Sequence, residues 1–192
     1  RIDRLLRRRA KLGTIRAMLH RSLADLDSCG PEIKAVFAKL DALIKKIDLT
    51  LAQLNAASPE RQETQRHLQT IVGVGPLVGI SLSNLLQRIH FRNADAFVAF
   101  LGFDTRPDDS GKRRGRRRLS KRGPAELRRL LFNAAMSASQ TRVWNPFYQH
   151  YRDKGLSGTA ALCIVARKIA RTAWSISKYK TTFDPKRLSC QP

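Results

Sequence analysis

Asp108-Asp109-Ser110-Gly111 is followed by the densest run of cations in the chain. From Lys112 to Arg122, eight of eleven residues are Lys or Arg. Such a run cannot be buried against its own chain, because each charge would need a partner and few acids are near. It must face water or a polyanion. Glycines at 111, 115 and 123 let the backbone turn sharply or approach a phosphate closely. A serine hydroxyl beside a nest of guanidinium groups has the parts for phosphodiester transfer to a protein oxygen. The hydroxyl supplies the nucleophile, and the arginines balance charge building on the phosphorus oxygens. The same four residues are also an ordinary turn, with a side chain bonding back to the backbone and glycine taking positive φ. Local residues leave both readings of Ser110 open. A P-loop is excluded, since the Gly-x-x-x-x-Gly-Lys-Ser/Thr spacing is absent around Gly111-Lys112.

The elements around this loop read as helices. Leu5, Leu12, Leu19 and Leu26 recur every seven residues and predict a helix over 2–28, broken at Gly30-Pro31. Ile33, Leu40, Ile47 and Leu54, with Phe37, Ile44 and Leu51 at the second seam position, predict another over 31–57. Together they form a coiled-coil pattern that either folds back as a hairpin or pairs two chains. The chain begins inside the helical pattern with no cap before it, as a piece of a longer protein would. Ser58-Pro59 then starts a helix running to about Ile71. Ile71-Val72-Gly73-Val74-Gly75-Pro76 leads into an apolar helix reaching Leu86. This apolar-Gly-apolar-Gly corner resembles a helix-hairpin-helix motif, which offers backbone N–H groups of Gly73, Gly75 and the following turn to a phosphate. The alternative is a close-packed helix corner. Further helices are predicted at Ala94–Leu101 with Asn93 as cap, from Ala125 to about Thr141, at Phe147–Lys154 and from Gly158 to Lys178. Residues 103–123 form a loop too long to be a passive connection. Residues 183–192 read as a frayed tail. No period-2 strand is evident, so the expected fold is all-α: a hairpin at 1–57 and a compact helical domain at 58–182.

Composition narrows the partner. With 37 Lys and Arg against 15 Asp and Glu, the 192 residues carry +22, yet 42% are hydrophobic, so the chain folds. Residues 61–192 hold +17 of that charge. Nucleic acid is the natural polyanion. The expected contacts are Gly73, Gly75, Gly111, Lys112, Arg113, Arg114, Arg116, Arg117, Arg118, Lys121, Arg122, Arg128 and Arg129. No apolar run approaches transmembrane length and no signal peptide opens the chain, so no membrane partner is expected. Cys29, Cys163 and Cys190 are odd in number and far apart, which suits a reduced cytoplasm. Four scattered histidines give no zinc spacing, and no metal ligand or cofactor is assigned within this chain.

From about Thr70 to Lys178 the sequence resembles the C-terminal domain of the insertion-sequence-110 transposases, which include the 116 and 902 elements. The parts occur in order: Ile71-Val72-Gly73-Val74-Gly75-Pro76; Phe91-Arg92-Asn93 leading to Phe100-Leu101-Gly102; Ser110-Gly111 with its Arg-rich sequel. Then come Leu119-Ser120-Lys121-Arg122-Gly123, Leu127-Arg128-Arg129-Leu130-Leu131 with Ala134-Ala135, Asn145-Pro146-Phe147-Tyr148, and Arg167-Lys168. Residues 1–60 match only in kind, through a coiled-coil segment. The resemblance implies a DNA transposase or site-specific recombinase fragment in which Ser110 attacks a DNA phosphodiester and becomes joined to DNA. It further implies an RNase H-like domain holding Mg²⁺ through Asp and Glu, a structured guide RNA, and assembly through the coiled coil. From Arg1 onward no such acidic domain is read, so this chain is expected to be inactive alone. Gly102-Phe103-Asp104-Thr105-Arg106 is more polar than the family's apolar stretch here. The competing reading is a non-catalytic helix-hairpin-helix module that only binds nucleic acid.

Overall fold

The computed structural model describes residues 1–106 and 118–188. Eight α-helices carry the fold: α1 Ile2–Ser22, α2 Gly30–Ala56, α3 Pro59–Gln69, α4 Pro76–Arg88, α5 Ala94–Leu101, α6 Ala125–Ser139, α7 Asn145–Asp153 and α8 Gly158–Tyr179. The described residues are all-α apart from one small ladder. β1 (Thr105–Arg106) pairs antiparallel with β2 (Arg118–Leu119), two residues each. No helix among the described residues is long and apolar enough to cross a membrane. The chain divides into two compact units, Arg1–Pro59 and Glu60–Pro192.

In the first unit α1 packs on α2 as an antiparallel hairpin within one chain. Two forked ion pairs set its register. Arg9 donates to Asp48 from Nε (2.9 Å) and Nη2 (3.1 Å), and Arg16 donates to Asp41 from Nε (2.6 Å) and Nη2 (3.0 Å). One heptad forward on α1 is one heptad back on α2. Leu5, Leu12 and Leu19 are half-buried, as are Ile33, Phe37, Leu40, Ile44 and Ile47, whereas Val36, Leu43 and Leu49 are exposed. The seven-residue spacing thus marks the buried stripe. It overruns at one place: α1 ends at Ser22, not residue 28, and Leu26 is exposed. Residues 23–29 form a turn and a short 3₁₀ segment, because a chain reversing into α2 cannot keep Leu26 on the seam. Gly30 and Pro31 fall inside the first turn of α2, where a missing N–H costs nothing.

In the second unit α8 is the central post. It packs against α4, α5, α6 and α7, burying Ala161, Val165, Ala166, Ile169, Ala170, Ala173 and Ile176. Ala134, Ala135 and Ala138 of α6 are buried as well, and small side chains on both helices permit a close approach. Residues beyond α8, expected as a frayed tail, instead fold back as far as Leu188. Lys180 adopts a left-handed conformation (φ 49°) and reverses the chain. Phe183 then stacks on buried Trp144 with centroids 5.8 Å apart, and its amide donates to Thr70 Oγ1 at 2.8 Å. An aromatic side chain with a flat partner is worth ordering; the sequence pattern holds no sign of that partner.

Candidate nucleic-acid interface

The described residues on either side of the basic segment form a braced neck. Phe103, expected to belong to the loop, is buried in the core (3% exposed). The loop begins only after Thr105–Arg106 and closes by Arg118–Leu119, with Thr105 opposite Leu119 and Arg106 opposite Arg118. Just inside this ladder the Ser120 amide donates to the Asp104 carbonyl (2.9 Å), and Ser120 Oγ donates to Asp104 Oδ1. One rung further in, the Lys121 amide donates to the Gly102 carbonyl (3.2 Å), with Lys121 held at φ 52°. The polar residue that departs from the family's apolar stretch, Asp104, is therefore half of a cross-neck bond.

Gly102 and Gly123 set how close the two sides come. Gly102 is left-handed (φ 75°) and caps α5. A Cβ on Gly123 would stand 1.9 Å from the Phe100 carbonyl oxygen and 2.6 Å from the Leu101 carbonyl carbon. Gly123, expected to give a phosphate access or a sharp turn, is instead glycine because the returning chain lies against the end of α5. Arg128 completes the clamp: its Nη1 donates to the Gly123 carbonyl (2.5 Å) and the Leu101 carbonyl (3.2 Å). A guanidinium at the C-terminal carbonyls of α5 meets both their lone pairs and the helix dipole. Arg128, expected to extend the basic surface, is thus a clamp residue half withdrawn from water. Arg129 forks onto Glu126 within α6 (Nε 2.9 Å, Nη2 2.6 Å), and this hydrogen bonding holds its guanidinium above the ordinary value.

Lys121 and Arg122 are exposed beside the neck. Ser110, Gly111, Lys112, Arg113, Arg114, Arg116 and Arg117 lie outside the described residues, and Arg118 is described through its backbone alone. The Gly73–Gly75 corner is separate in kind. Gly73 is left-handed (φ 96°), and a Cβ there would meet Ala134 O and Ala138 Cβ, both at 2.7 Å. Ile71 and Val74 are buried beside it, so packing on α6 accounts for the glycine. Gly75, at the N-terminus of α4, has open space where its Cβ would be. Packing therefore does not require glycine at position 75.

An apolar recess of about 270 Å³ adjoins the neck, lined by Phe103, Thr105, Leu119, Leu156, Ile164 and Cys163 among others. Burial pushes the Cys163 thiol up, so it is a poor thiolate at neutral pH. Among the described residues no three His, Cys, Asp or Glu side chains converge. The sequence marked Asp104 as a polar departure, Ser120 as part of a motif and Arg128 as a basic contact, but not that they hold the neck: each contact joins residues whose proximity only the fold creates.

Comparison with known proteins places this neck in context. Residues 65–152 match the family model of the Transposase IS116/IS110/IS902 family, a span running from α3 through the corner, the neck and α6 into α7. The insertion element IS116 uncharacterized 44.8 kDa protein of Streptomyces clavuligerus is 27% identical over 124 residues. That match covers 62% of this chain but 30% of the relative, so the chain spans under a third of that protein's length. Residues 65–152, which contain both strands of the neck, thus match a domain of the IS116/IS110/IS902 transposase family.

Proposed function

We propose that this chain is the DNA-engaging part of a transposase or site-specific recombinase, working in the cytoplasm, in which Ser110 is the nucleophile for strand cleavage and exchange. The observation that carries the reading is the neck. Paired strands, the Asp104–Ser120 bond, the Gly102–Gly123 contact and Arg128 together hold both ends of the segment containing Ser110 and the arginines. A passive surface loop has no need of such bracing. Both ends enter a domain that matches the transposase family.

In the proposed step the Ser110 Oγ–P bond forms as one phosphodiester P–O(sugar) bond breaks. The serine proton passes to a base and the departing sugar oxygen takes up a proton. Arg113, Arg114, Arg116, Arg117 and Arg118 with Lys112, Lys121 and Arg122 screen the phosphate and balance charge in the transition state. Asp108 and Asp109 are weak bases among so many cations, and Asp104 already accepts from Ser120. The base therefore comes from outside this loop, in keeping with a composite site completed by an RNase H-like domain and a structured RNA. Assembly would use the hairpin, whose Ile15, Met18, Val36 and Leu43 are exposed.

Two measurements test this. With duplex DNA, each phosphate contact contributes a slope of about −0.9 in log K against log salt. Replacing Arg113, Arg114, Arg116, Arg117 and Arg118 by Ala is expected to flatten that slope by several units of contact, and an unchanged slope removes the loop from the interface. In a reconstituted reaction with the acidic domain, Mg²⁺ and RNA supplied, Ser110→Ala is expected to abolish the covalent protein–DNA adduct while binding persists. An adduct mapped to Ser120 instead, or a fully active Ser110→Ala protein, overturns the assignment and leaves the non-catalytic binding module as the reading.

A further inference from the structure

The basic residues of α1 fall into two sets. The helix carries seven Arg and Lys between Arg4 and Arg21 against one acid, Asp3. Arg9 and Arg16 are bonded to carboxylates of α2. Arg4, Arg7, Arg8 and Lys11 are exposed and together line a recess of about 460 Å³. No ion pair among the described residues reaches any of the four. Their spacing puts Arg4 with Arg8 and Arg7 with Lys11 at i,i+4, and Arg4 with Arg7 and Arg8 with Lys11 at i,i+3. Four like-charge neighbours on one helix face oppose folding of that helix. We infer that this face is a second polyanion-binding surface, which takes the phosphate backbone of a nucleic-acid duplex.

The dimensions suit a duplex. At 1.5 Å per residue, Arg4 to Lys11 spans about 10 Å of helix, while a duplex presents a charge about every 1.7 Å of its axis. Several phosphates therefore face the stripe at once. Guanidinium forks favour phosphate oxygens, and three of the four cations are arginines. A lipid surface fits less well: Leu5, Leu12 and Leu19 are half-buried on the side facing α2, and the exposed apolar side chains of α1, Ile15 and Met18, are two where an inserting face needs a continuous stripe. The surface involves neither Ser110 nor the basic loop, and it can stand or fall without them.

The test uses the whole chain with a duplex DNA and a duplex RNA of matching sequence across a range of salt. In the variant Arg4→Gln, Arg7→Gln, Arg8→Gln, Lys11→Gln the log K–log salt slope is expected to flatten by about 2–4 on DNA. This loss should add to that of the five-arginine loop variant, which separates the two surfaces. Loss confined to RNA or to DNA identifies the duplex that the face holds. The same four substitutions should leave the melting temperature of the nucleic-acid-free protein unchanged or higher, since four like-charge i,i+3 and i,i+4 pairs are removed against one acidic neighbour, Asp3, at i,i+4 to Arg7. Unchanged slopes on both duplexes overturn the inference. So does a lowered melting temperature without nucleic acid, which would mean that the four cations hold the fold. Equal loss of binding to polyglutamate or to anionic vesicles would overturn the assignment to nucleic acid.

Discussion

At the scale of single residues, two glycines show how one residue type answers to different demands. Gly123 has no room for a Cβ, because the Phe100 carbonyl would lie 1.9 Å away on the backbone of α5. Gly13, within α1, has nothing within 4 Å. Gly123→Ala is therefore expected to destabilise the domain by about 3 kcal/mol, through a forced backbone shift. Gly13→Ala is expected to stabilise by about 1 kcal/mol, the helix-propensity difference. Urea unfolding of both variants checks the pair, and a neutral Gly123→Ala would mean that the neck does not close on α5 in solution. Both residues look alike in sequence. Only the neighbour brought there by folding separates them.

At the scale of elements, the hairpin of α1 and α2 was legible as a heptad stripe, and its internal register was not. Hydrophobic spacing says which face is buried. Whether Arg9 and Arg16 find Asp48 and Asp41 depends on the helices running antiparallel with this offset. The Arg16 side chain, chiefly through its hydrogen bonds, holds the Asp41 carboxyl below its ordinary value of 3.8. The unfolded chain thus binds the proton more readily than the folded one. The contribution of the pair is complete above the ordinary value and is lost as pH falls through the lower, folded value. Asp41→Asn should remove that part of the acid limb. Denaturant midpoints of wild type and variant, compared between pH 2 and 6, are expected to converge on acidification. A constant gap over that range would show that the pair does not form.

For the whole second unit, the fold turns on contacts between segments far apart in the chain. Phe183 stacks on Trp144, its amide meets Thr70, and the strap so formed spans from the end of α8 to the corner after α3. Phe183→Ala is expected to cost about 2 kcal/mol, from lost burial and ring stacking. It should also shift tryptophan emission to the red as Trp144 becomes wetter. Unaltered emission and stability would mean that residues 181–188 are not held against the core.

What the sequence by itself determined is what repeats or accumulates along the chain: helix periodicity, the cationic run from Lys112 to Arg122, and the ordered signature from Ile71 to Arg167-Lys168. These depend on neighbours in sequence, where spacing translates directly into a face or a charge density. Tertiary structure alone decided that Gly73 serves packing on α6, that Arg128 ties Gly123 to α5, and that Asp104 and Ser120 brace the loop. It likewise divided the cations of α1 into those paired with α2 and those left facing solvent. The physical reason is the same in each case. A hydrogen bond, a clash or an ion pair is short-ranged, and its partner lies many residues away until the chain has folded.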